Sequence, residues 1–226
     1  MIIMMNDNVK FFEENKYVVI PKALTGPILP VMYEYVRASS YRCKLIESDY
    51  TDRFPKKDHR GRPIREHEFG HFKDDQTMGD HVKYGDLLFD VLLLLLQKDV
   101  ENATNLELVP TYSYFRLYST GTELKKHDDR RACEISISLC LGYTGEMWPL
   151  YMNGTPLYMK PGDMVIYRGL DVPHWRKPLE GEYHAQVFMH YNDVNGPIGT
   201  RWAYDTRPFI GLPTDLADED VWLQDN

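Results

Sequence analysis

Arg116-Leu117-Tyr118-Ser119-Thr120-Gly121-Thr122-Glu123-Leu124-Lys125-Lys126-His127-Asp128-Asp129 is the stretch whose reading decides the fold. It opens on alternating residues that suit a strand, turns at Gly121, and ends in a His-x-Asp pair. Residues two apart on a strand point to the same face, so His127 and Asp129 can aim at one ion from one short strand end. His174 can complete the set from a distant strand. Two imidazoles and one carboxylate form the ligand set of a non-haem Fe(II) site with open coordination positions. Holding ligands from separate strands around one ion suits a β-barrel.

Outward from this stretch the chain changes character. Before residue 105 the pattern is helical: a short helix within Val9–Leu24 leads to a strand at Tyr17–Ile20, Ile28–Ser39 has apolar residues at helical spacing, and Gly85–Val100 is a further helix. The apolar run Val91–Leu96 inside that last helix is too short to cross a bilayer and reads as a buried turn. Ser48–Gly79 is polar, with charges of both signs, and reads as a loop or lid over a site. After residue 105, short runs rich in Tyr, Val, Ile and Ser (Thr111–Tyr118, Glu134–Leu141, Leu157–Met159, Met164–Tyr167 and Ala185–Tyr191) alternate with turn signals. Helices first and strands afterwards predict an α+β fold: a jelly-roll, cupin-like barrel backed by N-terminal helices. The length of 226 residues fits one domain. Within it, residues 1–105 would be helical support and lid, 106–195 barrel core, and 196–226 an irregular tail that turns acidic over Asp215–Asp220.

Composition excludes several functions. A net charge of −8 argues against a nucleic-acid backbone binder. Three cysteines, Cys43, Cys133 and Cys140, make no disulfide framework and predict reduced thiols in the cytoplasm. Met1–Asn6 has no basic stretch or cleavage site of a signal peptide, and no membrane partner is expected. Cys133 and Cys140 read as small buried hydrophobes.

The spacing Tyr118, Gly121, Leu124, His127, Asp129 resembles the Fe(II)/2-oxoglutarate-dependent oxygenases, position by position in the alkylation-repair branch and also in the prolyl-hydroxylase branch. A second segment, Lys160-Pro161-Gly162-Asp163 followed by an apolar strand and Pro173-His174-Trp175-Arg176, is similar to the distal half of that motif. The resemblance covers about Pro110 to Asp193. It implies a double-stranded β-helix, with His127, Asp129 and His174 as Fe(II) ligands and no catalytic side chain beyond them. It implies 2-oxoglutarate as co-substrate contacted by Tyr118, dioxygen as the other reactant, and hydroxylation with succinate and carbon dioxide as products. Two departures stand out. Arg116 occupies the place of an Asn two residues before the Tyr, which weakens any transfer of a nucleobase substrate. The last barrel strand usually supplies an Arg or Lys for the remote carboxylate of the co-substrate, and here those positions are Tyr183 and His184. Arg176, on the strand face of His174, is the first candidate for that anchor and His184 the second, with Gln186 and His190 further along the same face. The expected primary substrate is a small molecule or a protein side chain such as proline.

Other readings stand beside these. A metal-binding cupin-like barrel without oxygen chemistry would carry the same ligands. His67-Glu68-Phe69-Gly70-His71 matches the zinc-protease pattern H-E-x-x-H, which needs a regular helix to place both histidines on one face. Pro63 ahead, Gly70 inside and charged flanks at Lys56–Glu66 oppose that helix. Continued strand alternation past Asp129 would turn Arg131, not Arg130, into the cavity. Tyr112 and Tyr114 share the face of Tyr118 as packing residues, and Trp148 and Trp175 are expected to fill core or pocket walls.

Overall fold

The computed structural model describes residues 7–49, 68–213 and 217. The chain order is α1 (Asp7–Asn15), β1 (Tyr17–Ile20), α2 (Ile28–Asp49), β2 (His81–Tyr84), α3 (Leu87–Thr104), β3 (Leu108–Ser119), β4 (Leu124–His127), β5 (Ile135–Tyr143), β6 (Leu150–Met152), β7 (Thr155–Leu157), β8 (Met164–Arg168), β9 (His174–Arg176) and β10 (Tyr183–Asp193). A six-stranded antiparallel sheet, β1-β8-β5-β10-β3-β2, faces a four-stranded one, β4-β9-β6-β7. This is the expected α+β double-stranded β-helix.

Alternation along the long strands separates two cores. On β3, Phe115 and Leu117 point outward to the helices, while Tyr112, Tyr114, Arg116 and Tyr118 point into the barrel. The outward set joins Ile137, Leu139, Val187 and Met189 against Phe12 of α1, Val36 of α2 and Phe89 and Leu93 of α3. Each such side chain contributes about 1.5–3 kcal/mol when fully buried. A second cluster inside the barrel, with Cys140, Leu150, Met152, Val165 and Tyr167, closes one side of the space between the sheets. The three helices therefore buttress the six-stranded sheet, and the opposite face of that sheet is free to carry polar residues.

Local signals account for the ends of the elements. Asp86 caps α3 by accepting from Leu88 N (3.1 Å), and Asn105 ends it in the left-handed conformation. Helix α2 runs ten residues beyond the expected Ser39, to Asp49, which takes the start of the expected lid into the helix. Strand β2 was not expected, because its four residues mix His and Lys with Val and Tyr. The run Val91–Leu96 is not uniformly buried: Leu92, Leu93 and Leu96 face the core, whereas Val91, Leu94 and Leu95 face outward, Leu95 being 70% exposed. Helical periodicity splits a continuous apolar run between two faces. Among the described residues no helix is long and apolar enough to cross a membrane. Met1–Asn6, most of the expected lid (50–67) and the acidic stretch Asp215–Asp220 apart from Ala217 lie outside the described residues.

Candidate metal centre

Antiparallel pairing of β4 with β9 sets His127 directly opposite His174, and Leu124 opposite Arg176. Two ligands from distant sequence thus become cross-strand neighbours, with ring centroids 4.3 Å apart. Asp129 follows just past the end of β4, where its backbone N–H donates to Gly169 O (2.9 Å). Its Oδ1 lies 3.6 Å from His174 Nε2 and 4.0 Å from His127 Nε2. The three donor atoms lie within 4.8 Å of one another.

Hydrogen bonds behind the donors fix their state. His127 Nδ1 donates to Lys125 O (2.8 Å) and His174 Nδ1 to Val172 O (3.0 Å). A carbonyl only accepts, so both Nε2 lone pairs are left free toward the shared centre, the tautomer a metal ligand needs. Ser136 Oγ donates to Asp129 Oδ2 (2.9 Å), leaving Oδ1 toward the histidines. Burial lowers the pKa of both histidines, and the neighbouring His174 lowers that of His127 further. Burial pushes the Asp129 carboxyl up to about 6. Two neutral imidazoles and a carboxylate that water does not solvate well are suited to a divalent cation, which would restore the missing charge compensation. The donor set fits the metal that the sequence implies.

A cavity of about 350 Å³ opens beside these residues, walled by Tyr114, Arg116, Phe188 and His190 from β3 and β10 and by Asp74 and Gln76 from the segment before β2. The described end of the expected lid therefore does border the site. Arg130 lines the cavity and Arg131 does not. The expectation was the reverse, and it fails because a 3-10 turn at Arg131–Cys133 replaces strand alternation. Arg130 forms a two-bond pair with the fully buried Asp205, at 2.8 and 2.7 Å. Sequence reasoning missed Asp74 and Gln76, which line the cavity, and Asp205, which pairs with Arg130 without lining it; all three lie in segments with no periodic signal.

Deeper between the sheets lies a second group: Tyr118, Trp148, Arg176, His184 and Gln186. Arg176 is 1% exposed and stacks on Trp148, its Cζ 4.6 Å from the ring centroid. It donates to Trp148 O and, at 3.5 Å, to Gln186 Oε1, and among the described residues it has no carboxylate partner. A buried guanidinium with no counter-charge fits an anionic ligand. The Tyr118 hydroxyl is also buried without a hydrogen-bond partner. His184 Nε2 donates to Gln186 Oε1 (2.8 Å), and burial with Arg176 nearby lowers its pKa to about 3, so it is a neutral ring. Trp148 belongs to this buried group, as expected for a pocket wall. Trp175 instead stacks on Tyr151, centroids 5.4 Å apart, where alternation on β9 turns it away from His174 and Arg176.

The zinc-protease pattern forms no α-helix over its described part. Gly70 has φ +82°, and His71 sits in an extended bridge opposite Val82. His67 and Lys56–Glu66 lie outside the described residues.

No family model and no curated protein matches the chain. Solved structures do. A prolyl-4-hydroxylase from Pseudomonas putida is 16% identical, with a TM-score of 0.53 over 84% of this chain and 99% of that one. A 2OG-Fe(II) oxygenase family protein from Burkholderia pseudomallei is 14% identical, with a TM-score of 0.55 over 85% of this chain and 91% of that one. HygX from Streptomyces hygroscopicus, solved with nickel, 2-oxoglutarate and hygromycin B, is 12% identical, with a TM-score of 0.56 over 85% of this chain and 88% of that one. The chain shares the double-stranded β-helix fold of these structures.

Proposed function

We propose that the protein is an Fe(II)- and 2-oxoglutarate-dependent oxygenase that hydroxylates a small molecule or a protein side chain, proline among them, and releases succinate and carbon dioxide. The observation that carries this reading is the convergence of His127 Nε2, Asp129 Oδ1 and His174 Nε2, each backed by its own hydrogen bond, next to a buried arginine that lacks an anion. The likeness in fold to structures described as 2-oxoglutarate oxygenases supports it.

His127, Asp129 and His174 would hold the iron. Iron and keto acid, when bound, supply the oxygen-activating chemistry. The chain's residues bind and orient. Arg176 holds the remote carboxylate of the co-substrate, and the Tyr118 hydroxyl gives it a hydrogen bond. His184, a neutral ring bonded to Gln186, holds that amide toward Arg176, and Gln186 Nε2 in turn donates to Ser138 Oγ (2.8 Å). The aromatic walls of the cavity, Tyr114 and Phe188, exclude water from the face where a C–H bond would be presented. The cysteines are buried thiols rather than disulfides, in keeping with a cytoplasmic protein.

The test is anaerobic loading with Fe(II), addition of 2-oxoglutarate, and exposure to air with succinate measured. Succinate formation that His174→Ala abolishes is the expected result. Metal binding with no keto-acid turnover, even with candidate substrates supplied, would make the protein a metal-binding cupin-like binder instead. Metal binding lost in Asp129→Ala but retained in His71→Ala would separate this centre from the zinc-protease pattern.

A further inference from the structure

Tyr112 and Cys133 meet beside the candidate ligands. The Tyr112 hydroxyl lies 3.0 Å from Cys133 Sγ, and both residues line the cavity that His127, Asp129 and His174 share. Among the described residues that sulfur is the one hydrogen-bond partner of the hydroxyl. A thiol is a weak partner, so hydrogen bonding alone does little to offset burial of the phenol. Of the three cysteines, all of them free, Cys133 alone lines this cavity.

Both groups are held in place. The Tyr112 ring stacks on Tyr84 (centroids 4.8 Å apart), packs against His190 (4.6 Å) and lies 4.6 Å from Arg130 Cζ. Cys133 ends the 3-10 turn Arg131–Cys133, where its N–H donates to Arg130 O (2.8 Å). Thr111 Oγ1 donates to Ala132 O (2.8 Å) and ties that turn to β3. Ser136 Oγ, the partner of Asp129 Oδ2, also lies 3.0 Å from Cys133 O. Sulfur and phenol therefore face each other from two fixed elements, one hydroxyl away from a ligand carboxylate. Fixed proximity of this kind favours reaction between the two groups.

We propose that Cys133 and Tyr112 form a thioether cross-link, from the sulfur to the ring carbon beside the one that bears the hydroxyl, in a self-processing turnover at the metal centre. The proposal rests on the oxygenase reading given above, whose 2-oxoglutarate and dioxygen are the co-reactants. The S–H bond and one ring C–H bond break and a C–S bond forms, an oxidation by two electrons that releases two protons. Decarboxylation of 2-oxoglutarate to succinate supplies two further electrons. Dioxygen takes all four: one oxygen atom goes into succinate, and the other leaves as water with the two protons. No hydroxylated product forms in that turnover. The link staples β3 to the turn after Asp129 and replaces a weak contact with a covalent brace behind the ligand.

Mass spectrometry of the full chain tests it. Protein purified without metal is loaded anaerobically with Fe(II), given 2-oxoglutarate but no primary substrate, exposed to air, and then denatured with a thiol reductant. The expected result is an intact mass lower by two hydrogen atoms, loss of one of the three thiols, and a peptide containing Tyr112 joined to one containing Cys133. Tyr112→Phe is expected to keep its mass and all three thiols, and Cys133→Ala to keep its mass. Succinate formed while all three thiols of the unmodified protein persist would overturn the proposal. So would gain of oxygen atoms at Cys133, or a thiol lost equally in Tyr112→Phe, since the sulfur would then react without the phenol. Absence of succinate together with absence of the link would overturn the oxygenase reading itself, and the proposal with it.

Discussion

Gly169 lies against Asp129 with no room for a side chain between them. A Cβ at position 169 would stand 2.5 Å from Asp129 Oδ2 and would also overlap Cys133 O. The glycine carbonyl accepts from Asp129 N (2.9 Å), so the same residue fixes the ligand's backbone and leaves space for its carboxylate. Gly169→Ala is expected to push the carboxylate off its position and lower metal affinity about ten- to a hundredfold, the range for losing support behind a ligand. Competition with a chelator measures this. Unchanged affinity would mean that Asp129 does not ligate the metal from this position.

Asp205 is fully buried and accepts two bonds from Arg130 and one from the Tyr84 hydroxyl (2.6 Å). It sits in a run of three residues with positive φ, Tyr204 to Thr206, which the pair helps to hold. Asp205→Ala removes one partner of a buried ion pair and is expected to destabilise the fold by about 3 kcal/mol, toward the low end for such a loss because Arg130 retains 35% side-chain exposure. Urea unfolding monitored by far-ultraviolet circular dichroism measures it. A loss below about 1 kcal/mol would show that water replaces the carboxylate at Arg130.

His81 is buried between Phe72 and Phe115, where burial lowers its pKa to about 4 and His71 and Lys83 add to the effect. Its Nε2 donates to Phe69 O (3.0 Å), which pins the segment ahead of β2. The folded pKa lies below the unfolded value of about 6.5. The stabilising contribution is therefore complete above pH 6.5 and lost as pH falls toward 4, because the unfolded chain binds the proton more readily. His81→Gln is expected to flatten the decline in stability between pH 6.5 and 4. Parallel stability profiles for the two proteins across that window would rule His81 out as its source.

How much was legible follows from how regular each segment is. His127 and His174 were readable because a strand end and a strand start fix side-chain direction by alternation. The inward set Tyr118, Gln186 and His190 was readable for the same reason. Arg130 was misread because alternation was extended through residues that form a 3-10 turn. Asp74 was not legible at all: it bonds Tyr114 and Arg116, 40 and 42 positions away, from a loop with no periodicity. Asp205, 75 positions from Arg130, is the same case. The anchor question was open in the sequence because both Arg176 and His184 face inward, and burial that keeps His184 neutral is a property of the folded barrel alone.

The run Val91–Leu96 tests the division of α3 into two faces. Leu93 is fully buried against the six-stranded sheet, while Leu95 is 70% exposed. The two residues are chemically identical and two positions apart, so helix propensity cannot distinguish their replacement. Leu93→Ala removes buried methyl groups and leaves a cavity, and is expected to cost about 3 kcal/mol. Leu95→Ala is expected to change stability by less than about 0.5 kcal/mol, as for a surface substitution. Denaturant unfolding of both variants gives the comparison directly. Similar losses in the two would mean that the outer face of α3 is covered in solution, and sedimentation of the unmodified protein would then show an assembly larger than one chain.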